Sequence, residues 1–84
     1  MLKFRFRVHA SGWKAGYYEN AHFAESEEQA RKIIDRWNQE AAQRLAELKA
    51  GGVPVRDEHD GEVTLLAIIP ITDAEFKEDY VGTL

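Results

Sequence analysis

From Glu27 to Ala50 apolar side chains return every three or four positions. Ala30, Ile33, Ile34, Trp37, Ala41, Leu45 and Leu48 fall on one stripe, with Arg31, Lys32, Asp35, Arg36, Gln39, Glu40 and Gln43 off it. This is the period of an α-helix that buries one face. A helix of that extent is ~36 Å long at 1.5 Å per residue, whereas a strand of seven or eight residues reaches only ~25 Å. The chain must therefore fold around a helix longer than any sheet its remaining residues can build. Ser26 and Gln29 are spaced as a capping box, Glu27 and Glu28 suit the positive end of the helix dipole, Lys49 suits the negative end, and Gly51-Gly52 supplies the stop. Glu27–Arg31, Glu28–Lys32 and Glu40–Arg44 have i,i+4 ion-pair spacing. Trp37 lies on the stripe within the part a sheet can cover, which places it in the core. Asn38, a poor helix former, follows it and marks a point where the helix could break. Leu45 and Leu48 extend past the sheet and need cover from the end of the chain or from a second copy, so a homodimer is one expected way of burying them.

Before this helix, Leu2 to Ala10 alternates strictly, with Leu2, Phe4, Phe6, Val8 and Ala10 on one side and Lys3, Arg5, Arg7 and His9 on the other. This predicts a half-buried strand. Ser11-Gly12 provides turn chemistry, and Tyr17 to Ala24 reads as a second, antiparallel strand. Its inward set is ambiguous, because Tyr17, Ala21 and Phe23 share a face with Glu19 while Tyr18, Asn20, His22 and Ala24 share the other. A bulge would switch the inward set midway. After the helix, Pro54 restricts Val53 to Arg56 to an edge strand or an extended approach, and Asp57 to Gly61 reads as a turn. Glu62 to Thr72 is apolar on both faces, which marks it as the candidate central strand. Thr72 and Glu75 suit the cap of a short helix at Ala74 to Val81, with Phe76 and Tyr80 one turn apart. The expected fold is α+β, an antiparallel β-sheet with one long α-helix packed on one face, in the order ββα(β)βα.

At 84 residues the chain has material for one core, so residues 1 to 84 are read as a single domain. It contains no cysteine, hence no disulfide framework and no thiolate metal site, which is compatible with a reducing, cytoplasmic setting. The longest apolar run, Leu65 to Ile71, is far short of the ~20 residues of a membrane span and contains Pro70, and no signal peptide is recognised, so a soluble protein is expected.

Net charge is −4, but residues 1 to 14 carry Lys3, Arg5, Arg7 and Lys14 with no acid, leaving 7 basic and 15 acidic side chains for the rest. Two acidic groups stand out: Asp57, Glu58, Asp60 and Glu62 at the turn, and Asp73, Glu75, Glu78 and Asp79 near the C-terminus. Catalysis is not signalled. Both serines have local roles, as a turn and as a cap; His9, His22 and His59 are scattered; and no acid/base pair is singled out. The DEHDGE stretch departs from the calcium-loop pattern, so neither a metal nor a cofactor is expected. What remains is binding. The basic row Lys3, Arg5, Arg7 and His9, joined by Tyr18 or Tyr17, is a candidate nucleic-acid surface, although an acidic chain and cross-strand pairing with Glu19 and Glu62 weigh against it. Asp57, Glu58, Asp60, Glu62, Glu75, Glu78 and Asp79 are the candidate contact for a partner protein or nucleoprotein complex.

The segment HFAESEEQARKIIDRWN, His22 to Asn38, resembles small accessory proteins of phages and mobile elements, some of them anti-CRISPR proteins. That resemblance implies a non-enzymatic inhibitor that blocks a larger host machine, often by placing acidic groups in a site meant for nucleic acid. The SEEQA helix start is also similar to antitoxin-like regulatory modules, although no added DNA-binding segment is present.

Overall fold

The computed structural model describes residues 1–72 and Ala74. It contains β1 (Leu2–His9), β2 (Tyr17–Ala24), α1 (Glu27–Ala50) and β3 (Val63–Pro70). The strands form one antiparallel sheet in the order β2-β1-β3, and α1 packs across one face of it, so the fold is α+β. The short helix expected from Ala74 to Val81 lies outside the described residues apart from Ala74 itself, as do Asp73, Glu75, Glu78 and Asp79.

The strictly alternating strand is the central one. Phe4 and Phe6 are buried and join Ala24, Ala30, Ile34 and Val63 in one core, with Val8, Ile33, Trp37, Leu65 and Ile68 packed against it. The opposite row, from Lys3 to His9, forms the outer face. An antiparallel sheet with one face on the core and one in water selects this pattern for its middle strand.

Glu62 to Thr72 does not supply the central strand that its apolar character suggested. Among the described strands β3 is an edge, and its register accounts for the apolar run. Arg5 pairs with Ala67 but Phe6 with Leu65, so Leu66 is an extra residue that shifts the ladder. Leu65 and Ile68 both contact the core, while Leu66 and Ile69 remain 39% and 41% exposed. The continuous apolar run thus records a bulge and not burial on two faces. β2, by contrast, needs no bulge. Its register pairs Phe4 with His22, Phe6 with Asn20 and Val8 with Tyr18 throughout. Directly opposite residues share a face, so Tyr18, Asn20, His22 and Ala24 lie on the helix side and Tyr17, Glu19, Ala21 and Phe23 on the outer side. Val53 to Arg56 forms no strand. It is the extended approach to the turn.

α1 runs unbroken through Asn38. The Ser26 oxygen accepts from the Gln29 amide at 3.1 Å, and Gln29 reaches back one residue beyond the expected one, accepting from the Glu25 amide at 2.5 Å. Glu27–Arg31 and Glu28–Lys32 pair as spaced, at 2.8 and 3.2 Å. Glu40 pairs with Arg36 and not with Arg44, because the Arg44 guanidinium lies beside Gly61. At the end of the helix Gly52 takes a positive φ of 77° and its amide donates to Lys49. The chain then turns back toward α1: the Val53 amide donates to the Leu48 carbonyl at 2.9 Å, and Glu58 pairs with Lys49 at 2.6 Å.

Candidate functional site

The turn at 57–62 is held by its own carboxylates. Asp57 Oδ1 accepts from the His59 amide at 2.9 Å and its Oδ2 meets His9 Nε2 at 2.5 Å. The His59 amide first, and the His9 contact second, hold the Asp57 carboxyl below the usual range. Lys49 does the same for Glu58. Asp60 accepts from the Ser11 amide at 3.2 Å, and Glu62 meets His59 Nδ1 at 3.1 Å, which pushes the His59 imidazole up. Backbone bonds between Gly61 and His9, and between His9 and Glu62, continue the β1–β3 ladder into the turn. Gly61 adopts φ 88°, and a Cβ there would lie 3.2 Å from both the Ala41 Cβ and the Arg44 guanidinium. This position needs glycine for its conformation and for its closeness to α1. Among the described residues no three histidine or carboxylate side chains gather as metal ligands would.

The basic row is engaged differently. Glu19 lies opposite Arg7 on β2 and accepts from its guanidinium at 2.8 and 3.3 Å, and from Arg5 at 3.4 Å. The Arg7 hydrogen bond is the main reason that the Glu19 carboxyl is held low, and Glu19 in turn raises Arg7. The Arg7 guanidinium also covers the Tyr17 ring at 4.1 Å. Lys3, Arg5, Arg7 and His9 therefore do share a face, with Tyr17. Tyr18 does not join them, because the register turns it to the helix side, where it packs against Trp13 at 5.8 Å. The expected pairing of Glu62 with the row is replaced by its contact with His59.

A third surface was not anticipated. Between the β1–β2 half of the sheet and the middle of α1 lies an open groove of about 470 Å³. Its walls include Phe6, Val8, Tyr18, His22 and Trp37, and its charged lining is Glu40, Arg44 and Asp60. Trp37 forms part of the core at 4.9 Å from Phe6 and 6.1 Å from Phe4, yet it is only half-buried and contacts the exposed His22 at 5.4 Å. On its β2 side the groove is bounded by Tyr18, Asn20 and His22, which stay exposed on the helix side of the sheet. A second cleft adjoins it, lined by Leu45, Glu58, Asp60 and Glu62. The sequence signal was the even-numbered set of β2, which pattern alone could not assign to a face.

No protein-family model matches the chain, and no curated protein and no solved structure matches it either. Among the described residues no helix is long and apolar enough to cross a membrane.

Proposed function

We propose that the protein is a small non-enzymatic binding protein that acts by covering part of a larger partner, and that it meets the partner with the end where the turn at 57–62, α1 and the groove adjoin. The observation that carries this reading is the groove, an aromatic-walled recess with carboxylates at its lining. Interfaces draw most of their energy from aromatic anchors in such recesses, inside a polar rim. Glu58 and Glu62 stand beside it and keep 68% and 58% of their side chains in solvent despite their internal partners. Exposed ion pairs contribute roughly 0 to 1 kcal/mol, so these carboxylates exchange readily onto a basic partner and steer its approach. Nucleic-acid binding on the sheet face is the weaker alternative, since Arg5 and Arg7 share Glu19 and Arg7 is stacked on Tyr17. The partner on this reading is a protein or nucleoprotein complex with a basic site in a reducing cytoplasm. Inhibition by blocking a site for nucleic acid is the form that the resemblance of residues 22 to 38 implies.

The test is the association rate with the partner recovered from the native host. Glu58→Lys and Glu62→Lys together should slow association at least tenfold at low salt, with a smaller difference at high salt. Unaltered binding in that variant, with loss of binding in Arg5→Glu, Arg7→Glu, would transfer the contact to the sheet face.

A further inference from the structure

We infer that the groove takes an arginine or lysine side chain from an extended segment of the partner, its aliphatic stem along Val8, Tyr18 and Trp37 and its cationic head at the carboxylates of Glu40 and Asp60. This rests on the proposed contact end and adds the chemistry of its occupant. The lining combines two demands. Its walls are aromatic and apolar, its charged groups are two carboxylates and one guanidinium, and the imidazoles of His9 and His22 complete the polar lining, His9 being engaged with Asp57. A wholly apolar anchor would satisfy the walls and strip water from the carboxylates, which is costly without a donor in exchange. An anionic anchor would meet Arg44 but face both acids. A side chain with an apolar stem and a cationic end satisfies both demands at once.

The carboxylates are available for this. Glu40 has one 3.3 Å contact with Arg36 and Asp60 one 3.2 Å bond from the Ser11 amide, whereas a carboxylate offers about four acceptor positions. Arg44 is placed close against Gly61, next to Asp60 in the turn. The recess is open, with room beside the cationic side chain for the residues that flank it in a segment.

The probe is the peptide acetyl-Gly-Arg-Gly-Arg-Gly-amide, titrated at low salt into isotope-labelled protein, with glutamate-for-arginine and leucine-for-arginine peptides beside it. The arginine peptide should move the Trp37 indole resonance and the amides of His22 and Gly61 to saturation. Its affinity should fall at least fivefold in Glu40→Gln, Asp60→Asn, a surface pair whose unchanged thermal midpoint checks folding, and should hold in Glu58→Gln, Glu62→Gln. Equal responses to the leucine or glutamate peptide would overturn the inference. So would the absence of saturating shifts, or a response that survives Glu40→Gln, Asp60→Asn and disappears in Glu58→Gln, Glu62→Gln. If the peptide fails while the lysine reversals still slow the partner, the occupant is wrong and the contact end stands. If the peptide binds while the reversals have no effect, the groove chemistry stands and the contact end is wrong.

Discussion

Asn38 sits in mid-helix, where its propensity is poor by up to about 0.7 kcal/mol relative to alanine. Its side chain explains the choice. The amide nitrogen donates to the Val63 carbonyl at 3.0 Å, and the amide oxygen accepts from the Val63 N–H at 2.6 Å. A helix residue thereby pairs with the first residue of edge strand β3 as a neighbouring strand would, which blocks that point of the edge from pairing elsewhere. Two part-buried bonds at about 1 kcal/mol each outweigh the propensity cost. Asn38→Ala should therefore destabilise by about 1 to 3 kcal/mol in urea melts, with a selective loss of exchange protection at the Val63 amide; a more stable variant would refute the clasp. A partner 25 residues away leaves no local trace in the sequence. Trp37 was legible in part, since the stripe identifies its face but not how far the strand beneath it reaches. Trp37→Ala should cost about 3 kcal/mol, the low end for a large aromatic because one flank is open. Its emission, read in a Trp13→Phe background, should lie to the blue of free indole in water.

At the scale of elements, β1 and α1 were legible because strict periods of two and of three to four leave one way to bury each of them. β2 lacked hydrophobic contrast between its faces, and β3 concealed a bulge inside an apolar run. Those two ambiguities hid the groove, whose lining joins Phe6, His22, Trp37 and Asp60 from four separate parts of the chain. The turn at 57–62 closes it and should respond to pH from both sides. Asp57 and Glu58 are held low, so their contribution is complete above the ordinary carboxylate range and is lost as pH falls through their lowered values. His59 is held high, so its contribution is complete below its ordinary value and is lost as pH rises through the raised one. The thermal midpoint should therefore be greatest between about pH 4.5 and 6. Glu62→Gln should flatten the alkaline side of that curve and Asp57→Asn the acid side; an unchanged profile in both would show that these contacts do not hold the turn. Gly61→Ala should cost about 1 to 2 kcal/mol from its left-handed conformation alone, and more if Ala41 cannot yield.

For the whole molecule, the question that the long helix posed is how its C-terminal turns are covered. The connection after Gly52 supplies much of that cover. Val53 is tied to Leu48 through the backbone, Glu58 to Lys49, and Leu45 is half-buried beside the turn. Leu48 and Val53 remain 43% and 47% exposed, and the other large exposed apolar residues among the described ones lie elsewhere: Met1 before β1, Trp13, Tyr17 and Tyr18 near the β1–β2 turn, Leu66 and Ile69 on β3. A stable interface buries roughly 800 Å² on each partner, far more than Leu48 and Val53 offer, and a net charge of −4 opposes self-association at low salt. We therefore expect a monomer in place of the helix-end dimer that the apolar stripe suggested. Light scattering should give 9.6 kDa across the micromolar range and show no rise when salt screens the charge. Twice that mass would refute the monomer, and Leu48→Glu would then locate the contact: dissociation of the dimer would place it at the helix end, while its persistence would place it on the sheet.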